Sequence, residues 1–259
     1  MGDILQISGL TKRFGGLTAV NNVSFSVREG EILSVIGPNG AGKSTLFKLV
    51  ASFLRPTAGE VRFRGQRISG LSPHVVARMG IVRTFQETTI FKGMTVRENV
   101  IIAHQLRARA SLPGFYIGSS TARKDETEFR KSADEILEFL GLDRVQDEPA
   151  MALPHGHLRA LGMAIGLATN PKILLLDEPF AGMNHDETMC AVEMVKDVCN
   201  RGVTILLVEH DMPAVMQISH RIVVLNFGEK IAEGSPTDIR QDGKVIEAYL
   251  GIEDETIGF

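Results

Sequence analysis

Only two cysteines occur in the 259 residues, Cys190 and Cys199, nine positions apart in a stretch of helical pattern, with no CxxC and no clustered histidine. A disulfide framework and a structural zinc site are thereby excluded, and free thiols in a reducing compartment are expected. A basic excess is missing too. The 28 Lys and Arg face 31 Asp and Glu, a formal net charge of -3, so there is no broad positive field to collect nucleic acid. No window approaches the roughly eighteen apolar residues of a membrane helix, and the opening MGDILQISGLTKRF carries no signal-peptide core. Internal repeats and low-complexity runs are absent. The expectation is a chain that folds around a core of its own and reaches a membrane only through partners.

What is present is an alternation of strand and helix signals. Ile4 to Leu10, Val23 to Val27 and Ile32 to Ile36 are short apolar or alternating runs between Gly and Asn turns, which predicts a β-rich opening. A helix is expected from Lys43 to Ser52, then a strand from Val61 to Gly65. From 95 to 169 the pattern is mainly helical, broken by a polar stretch from Ser111 to Ala122, which predicts a helical subdomain inserted between 1–94 and 170–259. Ile173 to Leu176 and Val203 to Val208 are continuous apolar runs, as in strands buried on both faces of a parallel sheet. The helical pattern from Asp186 to Asn200 joins them in a βαβ crossover. The tail is polar, with a helical patch from Val245 to Leu250.

Gly37-Pro38-Asn39-Gly40-Ala41-Gly42-Lys43-Ser44, followed by Thr45, fits GxxxxGK[ST] and lies between an apolar strand and a helix, as the motif requires. Glycines let the backbone curl so that successive N–H groups converge on phosphate oxygens, and the helix N-terminus adds its positive end. Lys43 is expected on the β- and γ-phosphates and Ser44 on Mg2+. Asp177 and Glu178 stand just past a buried strand, where open α/β sheets bind ligands. Asp177 is expected to hold the Mg2+ shell and Glu178 to orient the attacking water, because phosphoryl transfer needs positioning and charge stabilisation above all.

With these motifs in this order the sequence resembles the ABC ATPase family along almost its whole length. The resemblance implies an α/β fold: a RecA-like P-loop NTPase core with an antiparallel β subdomain and an inserted α-helical subdomain. Gln86 in Arg83-Thr-Phe-Gln86 looks like the family's Q-loop glutamine, which implies contact with Mg2+ or water and sensing of a membrane partner. His210 in Val208-Glu-His-Asp211 looks like the switch histidine at the γ-phosphate. Phe14 matches the position of an aromatic on adenine, with a core aromatic as the alternative reading. Ala181 to Asn184 resembles the D-loop at the dimer interface. No NKxD guanine motif occurs, so the nucleotide is expected to be ATP.

The sequence departs from the family at the signature, where Leu153-Pro154-His155-Gly156-His157 replaces LSGGQ. In the family this segment comes from the opposite subunit and clamps the γ-phosphate with a serine hydroxyl and helix N-terminal amides. Pro154 offers neither a hydroxyl nor an N–H, though proline is tolerated at a helix start. His155 and His157 are either additional donors or ordinary polar loop residues. Two glycines, Gly162 and Gly166, fall in the helix that follows, at about 1 kcal/mol each relative to alanine.

Met94-Thr-Val-Arg-Glu-Asn-Val, Gly202 to Met212, Arg221 to Gly228 and Lys244 to Gly251 narrow the resemblance to ATPases of branched-chain amino acid uptake. This implies ATP hydrolysis at the cytoplasmic face of the inner membrane, with permease subunits, a second and different ATPase, and indirectly a periplasmic solute-binding protein. Relatives serving urea, short amides or lipopolysaccharide export share much of the sequence. The surface from Glu87 to Phe91 is expected to receive the permease, and a soluble non-transport ABC ATPase is the remaining alternative.

Overall fold

The computed structural model describes residues 2–84, 90–109 and 119–250. Gln86 and Glu87 to Thr89 lie outside the described residues, as does most of the polar stretch that begins at Ser111. The chain divides into two compact units, one made of Met1–Ile81 with Ile173–Phe259 and the other of Val82–Lys172.

Among the described residues the strands are, in chain order, β1 (Asp3–Phe14), β2 (Leu17–Arg28), β3 (Ile32–Ile36), β4 (Ala58–Phe63), β5 (Gln66–Arg67), β6 (Ile81–Arg83), β7 (Ile173–Asp177), β8 (Thr204–Val208), β9 (Arg221–Asn226) and β10 (Glu229–Gly234). They form a four-stranded antiparallel sheet of order β2-β1-β4-β5 and a six-stranded sheet of order β10-β9-β3-β8-β7-β6. In the larger sheet β3 lies between β8 and β9, parallel to both, and β7 is parallel to β8. Every residue of β3 and β8 is buried, which is why these strands read as unbroken apolar runs.

β1 and β2 are each 12 residues, longer than the runs that signal them. Register shifts between Ile7 and Leu10, and again before Lys12 and Arg13, let the pairing continue through breaks in the alternation. The β9–β10 hairpin carries no strand signal in its turn, because Phe227 (φ 45°) and Gly228 (φ 82°) supply the left-handed pair that Asn-Gly usually provides. Two short helices, Pro73–Met79 and Pro236–Gln241, also lie outside the sequence expectation. Each starts with proline after serine, a start signal, but is too short to show a period.

The helices Lys43–Val50 and His185–Asn200 belong to the first unit. The second unit has a Thr95/Glu98 box that caps its helix Val96–Ala103, where the Thr95 side chain accepts from the Glu98 N–H and the Glu98 carboxylate accepts from Thr95 N–H. Its helices Val96–Ala103, Ser120–Phe139 and His155–Ala168 pack together around Val100, Phe129, Leu137 and Leu161. His104 is buried there, edge-on to Phe129 with ring centroids 5.2 Å apart.

Candidate functional site

The parallel strands bring three segments to one edge of the sheet. β3 runs into Gly37, β7 ends in Asp177 with Glu178 next, and β8 leads to Glu209 and His210. This carboxyl edge is where α/β sheets bind ligands.

Two glycines fix the loop after β3. A Cβ on Gly37 would stand 2.0 Å from the Leu225 carbonyl oxygen, and one on Gly42 would stand 2.3 Å from that of Ala19. Both adopt positive φ, 149° and 98°, so neither position admits another residue without a backbone shift. The hairpin tip is bonded to the loop as well: Gly228 N–H donates to the Ala41 carbonyl at 3.1 Å. The helix Lys43–Val50 starts after Gly42 with no side-chain cap. Pro38 is half-buried, and Asn39, Gly40 and Ser44 are exposed.

Lys43 Nζ donates to the carbonyls of Gly37 at 2.6 Å and Pro38 at 2.9 Å. Burial pushes its pKa below that of an ordinary lysine, while Glu178 and then Asp177 pull it back up. Ammonium and carboxylates therefore act on one another in the same site.

Glu178 is a non-glycine residue at φ 50°, a conformation that costs about 1–3 kcal/mol. The surroundings enforce it. Glu178 N–H donates to the Val208 carbonyl at 2.9 Å, continuing the β7–β8 ladder by one residue. Glu209, to which the sequence assigns no role, is fully buried. Its carboxylate accepts N–H bonds from Phe180 at 2.8 Å, His210 at 2.8 Å and Asp211 at 3.3 Å. One buried anion thus ties the turn after Glu178 to the turn holding His210, whose side chain is 62% exposed. Beyond Phe180, Gly182 turns at φ 78° and Asn184 caps the helix His185–Asn200 through its own box with Glu187.

Phe14 is 46% exposed with Lys12 Nζ 5.1 Å from its ring centre, so it is not a core aromatic. Gln86 lies outside the described residues. In the second unit the helix His155–Ala168 begins directly after Pro154, which occupies the N-cap with no side-chain bond. His155 and His157 are exposed, and Gly156 has open space around it.

Among the described residues no group of three or more His, Cys, Asp and Glu is arranged to hold a metal. The donors on hand are a hydroxyl, Ser44, and a carboxylate, Asp177. This sparse hard-oxygen set fits Mg2+, which keeps waters and takes phosphate oxygens as its remaining ligands.

The family model described as ABC transporter matches residues 20–181, and that of the branched-chain amino acid ATP-binding cassette transporter matches 229–255. The high-affinity branched-chain amino acid transport ATP-binding protein LivG of Salmonella typhimurium is 44% identical over 249 residues, 96% of this chain and 98% of its own. BraF of Pseudomonas aeruginosa, of the same description, is 43% identical with the same coverage. The lipopolysaccharide export system ATP-binding protein LptB of Haemophilus influenzae is 33% identical, covering 96% of this chain and 97% of its own. Among solved structures, an ATP-binding cassette of an ABC transporter in its ADP conformation superposes with a TM-score of 0.85 at 33% identity, over 97% of this chain and all of that one. A dimeric, post-hydrolysis cassette bound to ADP and Pi gives 0.75 at 26% identity, over 90% of this chain and 98% of that one. The chain therefore belongs to the ATP-binding subunits of ABC transporters and is an ATPase of the α/β P-loop class.

Proposed function

We propose that this ATPase energises the import of branched-chain amino acids. The observation that carries the reading is the likeness to LivG and BraF along nearly the whole chain, together with the match at 229–255.

The roles of the site residues in this reading combine the family resemblance with the placement of the described residues. The loop Gly37 to Thr45 presents backbone amides to phosphate, and Lys43 neutralises the β- and γ-phosphates from its buried position. Phe14 offers an exposed ring to adenine. Ser44, Asp177 and Gln86 would hold Mg2+, which when bound would neutralise charge on the transferring phosphoryl group. Glu178 orients the water, and His210 contacts the γ-phosphate from the adjoining turn. Closing a dimer around ATP and reopening it after hydrolysis is a two-state motion biased by the γ-phosphate.

Pro154, His155, Gly156 and His157 face the nucleotide of the other subunit in this reading. With no hydroxyl or side-chain cap at Pro154, this clamp is weaker than the one the partner supplies. That asymmetry favours a heterodimer with a second, different ATPase, of which the site containing Glu178 and His210 is the active one. Permease subunits hold the pair at the cytoplasmic face of the inner membrane, and a periplasmic binding protein delivers the solute. Among the described residues no helix is long and apolar enough to cross a membrane.

The test is capture of membrane partners with this chain as bait, with hydrolysis measured before and after Glu178→Gln. Two permeases, a second ATPase and an amino-acid-binding protein are expected. Capture of a lipopolysaccharide-export permease would replace the amino-acid reading, and rapid ATP hydrolysis by a purified homodimer, in which both sites carry the Pro154 signature, would overturn the asymmetry.

A further inference from the structure

Gly228, the second residue of the β9–β10 turn, spends both of its backbone polar groups on other elements. Its N–H donates to the Ala41 carbonyl of the phosphate loop at 3.1 Å, and its carbonyl accepts the Asn21 N–H of β2 at 2.8 Å. The approach is close as well. A Cβ on Gly228 would stand 2.9 Å from the Ala19 carbonyl oxygen, and the Gly228 Cα lies 3.5 Å from the place that a Cβ on Gly42 would take. With φ at 82°, this turn position favours glycine on backbone grounds too. Next to it, the Asn21 side-chain Nδ2 donates to the Glu229 carboxylate at 2.7 Å. The hairpin tip, β2 and the loop therefore meet at one point, and Ala41 is buried there.

A trans peptide is planar, so its C=O and its N–H point in opposite directions. In the Ala41–Gly42 peptide the carbonyl is held by Gly228, and the Gly42 N–H is thereby turned away from the hairpin. Among the described residues nothing accepts the Gly42 N–H, whereas the Ala41 N–H is already taken by the Pro38 carbonyl at 3.1 Å. Gly42 is also the N-cap of the helix Lys43–Val50, so its N–H stands at the positive end of that helix. Phosphate binding depends on amides already aimed at the anion by contacts behind the loop. We propose that Gly228 is a positioning residue for nucleotide binding: by holding the Ala41 carbonyl, the β9–β10 tip aims the Gly42 N–H at a phosphate oxygen. This rests on the reading that residues Gly37 to Thr45 bind phosphate. The coupling runs both ways, because a peptide whose N–H donates becomes a stronger acceptor at its C=O. A phosphate on Gly42 therefore tightens the bond from Gly228 to Ala41.

The test follows the backbone amides of the full chain by NMR as ADP is added. The Gly42 and Gly228 amide protons are expected to move downfield together, with one midpoint equal to the ADP Kd from calorimetry. In a second arm, Gly228→Ala drives a Cβ toward the Ala19 carbonyl and loosens the tip. Measured below its lowered melting temperature, this variant is expected to bind ADP about threefold to tenfold more weakly, the effect of losing one hydrogen bond. Adenosine, which has no phosphate, should bind the variant as it binds the parent. A Gly42 or Gly228 amide that stays still at saturating ADP overturns the proposal. So does parent-like ADP affinity in Gly228→Ala, or an equal loss for adenosine. If the variant does not fold, the NMR arm decides alone. Amides from Gly37 to Thr45 that all ignore bound ADP would sink the phosphate reading together with the proposal, whereas shifted loop amides with a silent Gly228 sink only the proposal.

Discussion

Glu209 holds the backbone N–H of Phe180 at 2.8 Å across the carboxyl edge of the sheet, while its other carboxylate oxygen takes the N–H of His210 at the same distance. The turn after Glu178 and the turn bearing His210 therefore share one buried acceptor, and neither moves without the other. A carboxylate that accepts several N–H bonds is a strong support, and a costly one to replace. Glu209→Gln puts an amide donor where acceptors are needed. It is expected to cost about 1–3 kcal/mol of stability and to lower kcat with little change in KM, read from melting curves and steady-state hydrolysis.

Glu178→Gln leaves the turn geometry in place, since the backbone bond to Val208 does not involve the side chain. Hydrolysis should fall by about a hundredfold or more, as for loss of a positioned general base, while ATP binding persists. ATP is then expected to accumulate a closed dimer on gel filtration. A variant dimer that opens as fast as the parent would remove Glu178 from the water-orienting role.

Glycine substitutions should separate by environment. Gly37→Ala and Gly42→Ala each drive a Cβ against a carbonyl oxygen at a positive φ, and are expected to abolish nucleotide binding and lower stability by more than about 2 kcal/mol. Gly162 is interior to the helix His155–Ala168 with nothing within 4 Å of an added Cβ. Gly162→Ala should instead stabilise by about 0.5–1 kcal/mol, seen as a rise in melting temperature.

His104 predicts an acid-side loss of stability. Burial holds its pKa below the ordinary 6.5, with the Ala168 backbone and Glu128 opposing the shift and Arg107 adding to it. Below about 6.5 the unfolded imidazole takes up a proton that the folded one refuses, so the unfolded state binds more protons there and gains from acid. The contribution is full above that pH and declines as pH falls through the folded pKa. His104→Leu should flatten this part of a melting-temperature profile; an unchanged slope would assign the acid sensitivity to other groups.

The parallel sheet was legible because β3, β7 and β8 are buried on both faces and announce themselves as apolar runs, and the loop between Gly37 and Ser44 because its glycines are dictated by sterics. Glu209 was not. It follows a strand with no alternation, so nothing in the pattern says whether its side chain turns inward. Phe14, ambiguous between core and surface by composition, is resolved by its exposure.

The strand that launches the phosphate loop has both of its neighbours, β8 and β9, encoded after residue 203. During synthesis β3 therefore waits, with both edges unpaired, until more than 160 further residues have left the ribosome. Contacts of such separation form slowly, and unpaired edges invite aggregation. The nucleotide site is one of the last things this chain completes, so a truncated or stalled nascent product exposes an apolar strand instead of a half-active enzyme.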